Sequence, residues 1–154
     1  MKLLKITAEG LPLFKKKLDL TFYAQQRITE EQKEELYPLF SNVYLNPATG
    51  FIGINASGKT SVLKVILLIL GIINNEPINH IDSRDILGDA DKATLNAYFY
   101  TEKNRKICRL QTIIKSVKSK TEGIIYHITS ESFWAKEERE VVTRKGMLNF
   151  DGKE

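Results

Sequence analysis

The chain has one cysteine, Cys108, in 154 residues, with only four prolines and nine glycines. A single cysteine cannot close an internal disulfide, and no Cys-based zinc spacing is present. Sparse proline and glycine exclude collagen-like and low-complexity disordered chains. Long apolar runs are also missing. The greasiest window, Val65 to Ile73, is nine residues long and follows Lys64, whereas a membrane span needs about 20. The N-terminus, MKLLKITAEG, offers only Leu3, Leu4 and Ile6 before polar residues intervene, too little for a secretory signal core. No membrane role is expected, and a reducing cytoplasm fits best. His80 and His127 each stand without a Cys, Asp or Glu at metal-ligand spacing, so both read as ordinary polar residues.

What remains is ordinary globular material, 42% hydrophobic and 27% charged, long enough for one domain with its own core. The net charge of +4 is unevenly spread. Lys103, Arg105, Lys106, Arg109, Lys115, Lys118 and Lys120 form a stretch with no acidic residue among them. Such a stretch can meet the phosphates of a nucleic acid. A solvated hairpin whose lysines discourage edge pairing explains it equally.

Hydrophobic patterning predicts strands over 2–8 and 18–23, joined by the turn-like EGLPLFKKK. Thr29 followed by Gln32 makes a capping box, which predicts a short polar helix running to about Tyr37, where Pro38 discourages continuation. Residues 42–52 contain an extended segment. A helix is expected through the apolar run to about Asn74, and the loop INHIDSRDILGDADKA has helical potential. Three strand-like segments follow, ATLNAYFYTE, KICRLQTIIKS and GIIYHITSESFW, as an antiparallel region over about 93–134. The close, AKEEREVVTRKGMLNFDGKE, reads as a short charged helix or a further hairpin.

Between the extended segment and the apolar helix lies GINASGKTS, residues 53–61. Gly53, Gly58, Lys59 and Thr60 satisfy G-x-x-x-x-G-K-[ST], the phosphate-loop pattern. Four fixed positions recur by chance roughly once in a few hundred chains of this length. The spacing has a physical reason. A loop that wraps a triphosphate turns its N–H groups inward, which needs residues tolerant of unusual backbone angles. The helix that follows presents unsatisfied N–H groups and a positive dipole end. Gly53, Asn55, Ala56, Ser57, Gly58, Lys59, Thr60 and Ser61 would cradle the phosphates of ATP. Lys59 would bridge the β- and γ-phosphates and meet transition-state charge, and Thr60 would offer its hydroxyl to Mg²⁺.

Fifty residues with two strands precede this motif. That order, with the variant G-x-N-x-S-G-K-T, resembles the ABC-type ATPases of the RecF, SMC and OLD group, among the AAA-family ATP-binding proteins. The resemblance covers roughly residues 1–130, and only the phosphate loop is sharply diagnostic. It implies an α/β fold: the N-terminal lobe of a P-loop NTPase of ABC-ATPase head type, 1–154, with an antiparallel β-subdomain and an insertion at about 25–48. It further implies ATP-driven homodimerisation coupled to DNA repair or anti-phage defence.

Two elements of that group are missing from the sequence. No apolar strand ends in Asp-Glu, the Walker B pattern. Ile72-Ile73-Asn74-Asn75-Glu76 carries amides where Asp belongs, and Ile86-Leu87-Gly88-Asp89 is short and broken by glycine. No serine-glycine signature motif occurs. A C-terminal lobe or second subunit would have to supply both, and without it this chain is expected to bind ATP but not hydrolyse it. The alternative is a non-hydrolysing nucleotide-binding module. A compact kinase or GTPase fits less well, since no N-K-x-D guanine motif is present. Gln111, on a strand-like segment, is accounted for by alternation as well as by a water-positioning role.

Overall fold

A computed structural model describes residues 1–54, 58–121 and 123–150. Among these residues, seven strands and three α-helices succeed one another as β1 (Lys2–Glu9), β2 (Leu18–Thr21), α1 (Glu30–Lys33), β3 (Tyr37–Phe40), β4 (Val43–Leu45), α2 (Lys59–Ile73), α3 (His80–Leu87), β5 (Ala93–Thr101), β6 (Lys106–Ser119) and β7 (Gly123–Glu137). The fold is α/β. Five strands form one sheet in the order β2-β1-β5-β6-β7, and β3 and β4 form a separate pair. Every strand pairing is antiparallel. β5, β6 and β7 are the three segments expected as an antiparallel region, joined by the short turns expected of a meander.

The sheet is covered on both faces. Along β5, Ala93, Leu95, Ala97 and Phe99 alternate into one core with Ile6, Ala8, Val65, Ile69, Ile86 and Leu87. Tyr100 joins a second core with Leu4, Val43, Leu45, Ile107, Trp134, Met147 and Phe150. The run KLLKITA feeds both, because a bulge between Leu3 and Lys5 breaks its alternation. The extra residue lets Leu4 enter the second core, while Leu3 and Ile6 remain with the first.

α2 and α3 lie over the first core. α2 buries Val65 and Ile69 there but leaves Leu63 and Leu67 exposed, Leu67 at 67%. The apolar run is thus a helix buried along one stripe, not one roofed on all sides. Among the described residues no helix is long and apolar enough to cross a membrane. α3 fills the loop of helical potential. Its N-cap Asn79 accepts bonds from the N–H groups of Ile81 and Asp82 at 3.1 and 3.2 Å. An ion pair between Lys64 and Asp85 ties the helices together and holds the Asp85 carboxyl below its usual range.

Three expectations are corrected. The capping box exists, with Thr29 N–H donating to Gln32 Oε1 at 3.0 Å, but α1 ends at Lys33. Residues 37–40 form a strand, because Leu39 and Phe40 pack against the second core and proline is tolerated in a two-stranded edge. The extended segment at 42–52 shrinks to Val43–Leu45. It lies beside the continuation of β2, with Ala24 N–H to Tyr44 O at 2.8 Å and Asn46 N–H to Phe22 O at 2.9 Å. Among the described residues the C-terminal segment forms no further hairpin, and its charged helix is reduced to one 3-10 turn. β7 continues to Glu137, a single 3-10 turn covers Glu138–Glu140, and turns then carry the buried Met147 and Phe150 into the second core.

Polar anchors hold that closing segment. The ammonium of Lys136, only 7% exposed, donates to the carbonyls of Gly146 and Asn149 at 3.0 and 2.6 Å. The Arg144 guanidinium donates to the carbonyls of Ala24, Gln25 and Gln26 at 3.0, 2.7 and 2.8 Å. Tyr100 donates its hydroxyl proton to Glu138, which also pairs with Arg105. Gly10 serves a different need. It turns the chain out of β1 at φ +76°, and a Cβ there would sit 2.1 Å from the Lys92 carbonyl oxygen, so only glycine fits.

Truncating Ile69 to alanine should cost about 2–5 kcal/mol in urea unfolding. Leu67→Ala on the same helix should stay within about 0.5 kcal/mol. Equal losses would contradict the one-sided burial of α2. The Tyr100–Glu138–Arg105 contact also sets a pH window. The bonds from Tyr100 and Arg105 hold the Glu138 carboxyl below its ordinary 4.5, so its stabilisation is full above that value and disappears as pH falls through the folded pKa. Burial, then the Glu138 bond, pushes Tyr100 from 10.0 up to about 12. Its contribution is full below pH 10 and is lost as pH rises towards 12. Urea midpoints against pH should show a weaker acid limb in Glu138→Gln and a weaker alkaline limb in Tyr100→Phe.

Candidate functional site

The phosphate-loop motif occupies the entry to α2. Gly58 is the N-cap, in the left-handed region at φ +85°, and Lys59 is the first helical residue. The helix's own hydrogen bonding begins with Val62 N–H to Gly58 O at 3.0 Å. The N–H groups of Lys59, Thr60 and Ser61 therefore precede the ladder, as the first donors of any helix do. Among the described residues no side-chain cap bond is made at this end, and no acidic residue lies in the first turn, where one would offset the positive end of the dipole.

The Lys59 ammonium donates to the carbonyl oxygens of Gly53 and Ile54, each at 2.7 Å. The charge therefore lies beside the first residues of the motif, on carbonyl acceptors that an anion's oxygens could take over. Thr60 is exposed and Ser61 is half-buried, one and two residues into the helix. Gly53 is exposed and outside any strand. Asn55, Ala56 and Ser57 lie outside the described residues. The structure thus brings Gly53, Gly58, Lys59 and Thr60 to one helix end, which can hold an anion and offer one hydroxyl to a cation. No cluster of metal-ligating side chains exists among the described residues.

One feature departs from the expected strand–loop–helix. β4 ends at Leu45, and residues 46–54 have no regular structure. Ile52 and Ile54, flanking Gly53, are almost fully exposed at 101% and 83%. The two acidic segments weighed as Walker B candidates are not strand ends. Glu76 follows the C-terminus of α2, and Asp89 follows Gly88, the C-cap of α3.

Other sequence candidates resolve into structural roles. Asn96, 5% exposed at the sheet centre, accepts at Oδ1 from Arg109 Nε, Arg109 Nη2 and Gln111 Nε2 at 3.1, 2.9 and 3.1 Å. It donates to Thr7 Oγ1 at 3.2 Å. Gln111 is thus engaged within the sheet. The Arg109 guanidinium also lies 4.5 Å from the Trp134 ring centre. His80 Nδ1 accepts the Tyr126 N–H at 3.2 Å, docking α3 on β7.

The basic stretch is not one surface. Arg105 pairs with Glu138, Lys106 with Glu137 at 3.4 Å, and Arg109 with Asn96. Lys115, Lys118 and Lys120 are exposed at the opposite end of β6. At about 3.3 Å per residue that strand separates its two basic ends by roughly 40 Å.

Sequence reasoning did not find Arg144, whose guanidinium reaches carbonyls about 120 residues earlier in the chain. No local pattern marks such a contact.

No family model matches this chain, and neither the curated proteins nor the solved structures contain a significant match.

Gly58→Ala should lower stability by about 1 kcal/mol, the left-handed penalty for an L-residue. The space around it is open, with no atom within 4 Å of an added Cβ. Gly58→Asn should lose less, since asparagine tolerates that region. Urea titration of both variants measures the difference, and a loss far above about 2 kcal/mol would mean steric contact.

Proposed function

We propose that this chain is an Mg–ATP-binding lobe of ABC-ATPase type, holding the triphosphate at the N-terminus of α2. The observation that carries this reading is the motif's setting. GINASGKTS runs into a helix capped by a left-handed glycine, with Lys59 as its first residue and its ammonium at the loop mouth. The chemistry follows from these parts. Lys59 and the leading N–H groups would neutralise the phosphates, and Thr60 would share Mg²⁺ with them. ATP would then drive dimerisation for work on DNA, in repair or anti-phage defence, a reading that rests on the family resemblance. Any contact with nucleic acid would fall to the exposed Lys103, Lys115, Lys118 and Lys120, because Arg105, Lys106 and Arg109 have protein partners.

Two observations support a need for a second lobe or subunit. No apolar strand ending in Asp-Glu occurs in the sequence. Ile52 and Ile54 stand exposed beside the motif, as they would in a segment whose sheet neighbours come from elsewhere. The same observations favour the second reading, in which the chain binds nucleotide and does not turn it over.

Calorimetry with Mg–ATP should show binding by the wild-type chain and a loss of at least tenfold, about 1.4 kcal/mol, in Lys59→Ala. Unchanged affinity in that variant would overturn the nucleotide site. A phosphate-release assay on the same chain should show no turnover; robust hydrolysis would overturn the requirement for a partner.

A further inference from the structure

A cavity of about 380 Å³ opens between the 27–44 segment and the closing turns, lined by Arg27, Ile28, Lys33, Asn42, Tyr44 and Arg144. Three of these six side chains are cationic and none is acidic. A neighbouring cavity of about 490 Å³ shares Arg27 and Ile28 with it. None of the described motif residues Gly53, Ile54, Gly58, Lys59, Thr60 and Ser61 lines either one. We propose that this double cleft is a binding site for a mononucleotide, with its phosphate in the cationic compartment and its base in the other.

The charges are arranged for an anion. Arg144 is fixed by its bonds to the carbonyls of Ala24, Gln25 and Gln26. Those acceptors are neutral, so they orient the guanidinium without cancelling its charge. Arg27 is exposed and has no hydrogen-bonding or ionic partner among the described residues. Its fork can therefore close on a phosphate in the bidentate geometry that arginine favours. Lys33 shares its charge with Glu30 at 2.7 Å and adds less. Asn42 and the Tyr44 hydroxyl supply further donors.

The second compartment reads differently. Gln25, Gln26, Gln32 and Asn46 are among its lining, and each amide can donate and accept. Among the described residues Glu35 is the one carboxylate lining either cavity. A carboxylate accepts from an exocyclic amino group, as it does when it reads cytosine, which favours adenine over hypoxanthine. The volumes suit a small ligand, since pockets for such molecules run about 300–1,000 Å³. A bare phosphate would leave the amide-lined compartment unused.

The test is calorimetry at low salt and without Mg²⁺, using AMP, IMP and inorganic phosphate on the wild-type chain, Arg27→Ala and Lys59→Ala. AMP should bind the wild type and Lys59→Ala alike, and Arg27→Ala at least about tenfold more weakly. Arg27 is exposed and makes no hydrogen bond or ion pair among the described residues, so its removal should leave circular dichroism and the urea midpoint unchanged. IMP and inorganic phosphate should each bind at least about tenfold more weakly than AMP. Absence of AMP binding at millimolar ligand would overturn the proposal, as would unchanged affinity in Arg27→Ala. Loss in Lys59→Ala alone would put the ligand on the phosphate loop instead. Inorganic phosphate or IMP binding as tightly as AMP would overturn the base compartment. Failure of this site leaves Mg–ATP binding at Lys59 unaffected, so the two readings fail separately.

Discussion

The central sheet has two faces to bury and only one pair of helices with which to bury them. β5 is flanked by strands on both sides and bears apolar residues on both faces, so neither face can be left to water without exposing large side chains. α2 and α3 take one face. The other is closed by pieces that have little regular structure of their own: the β3–β4 pair, the continuation of β2 and the turns from 141 to 150. Those pieces cannot satisfy their own backbone groups, which is where Lys136 and Arg144 become structural. Each spends its donors on carbonyls that no strand or helix has taken up.

The same constraint explains the form of the site. α2 is held by Val65 and Ile69 against the sheet, and one buried stripe suffices to fix a helix axis. At its N-terminal end Thr60 is exposed, and Gly58 holds a left-handed angle that L-residues resist. Lys59 is anchored at its backbone by the first turn of that helix while its ammonium rests on the carbonyls of Gly53 and Ile54. In the middle of the opposite face, Asn96 gathers Thr7, Arg109 and Gln111 into a satisfied polar group. A buried amide of that kind costs little when every valence is used and a great deal when one is not.

Much of this was legible locally. The three β-branched and aromatic segments declared themselves as strands, and the apolar run after Lys59 as a helix ending at Asn74. Where local reading failed, a distant contact had won. Thr29 and Gln32 do form their capping box, but Leu39 and Phe40 are worth more in the second core than in another turn of polar helix. Pro38 did not set the end of the helix, which stops at Lys33; it sits instead in an edge strand, which its chemistry allows and its position does not announce. The run KLLKITA looked like simple alternation, and the bulge at Leu4 exists because both cores claim a leucine from it.

The sequence by itself determined where the G-x-x-x-x-G-K-[ST] motif lies, the strand and helix periods, and the absence of an Asp-Glu strand, because each is a matter of residue type at fixed spacing. Only the tertiary structure decided that the basic stretch is divided between two ends of one long strand and that Gln111 serves the sheet. It alone brought Arg144 beside Arg27 and Lys33. Those outcomes depend on which surfaces meet after the sheet has closed, and meeting surfaces are set by burial and register across a hundred residues or more, which no local spacing records.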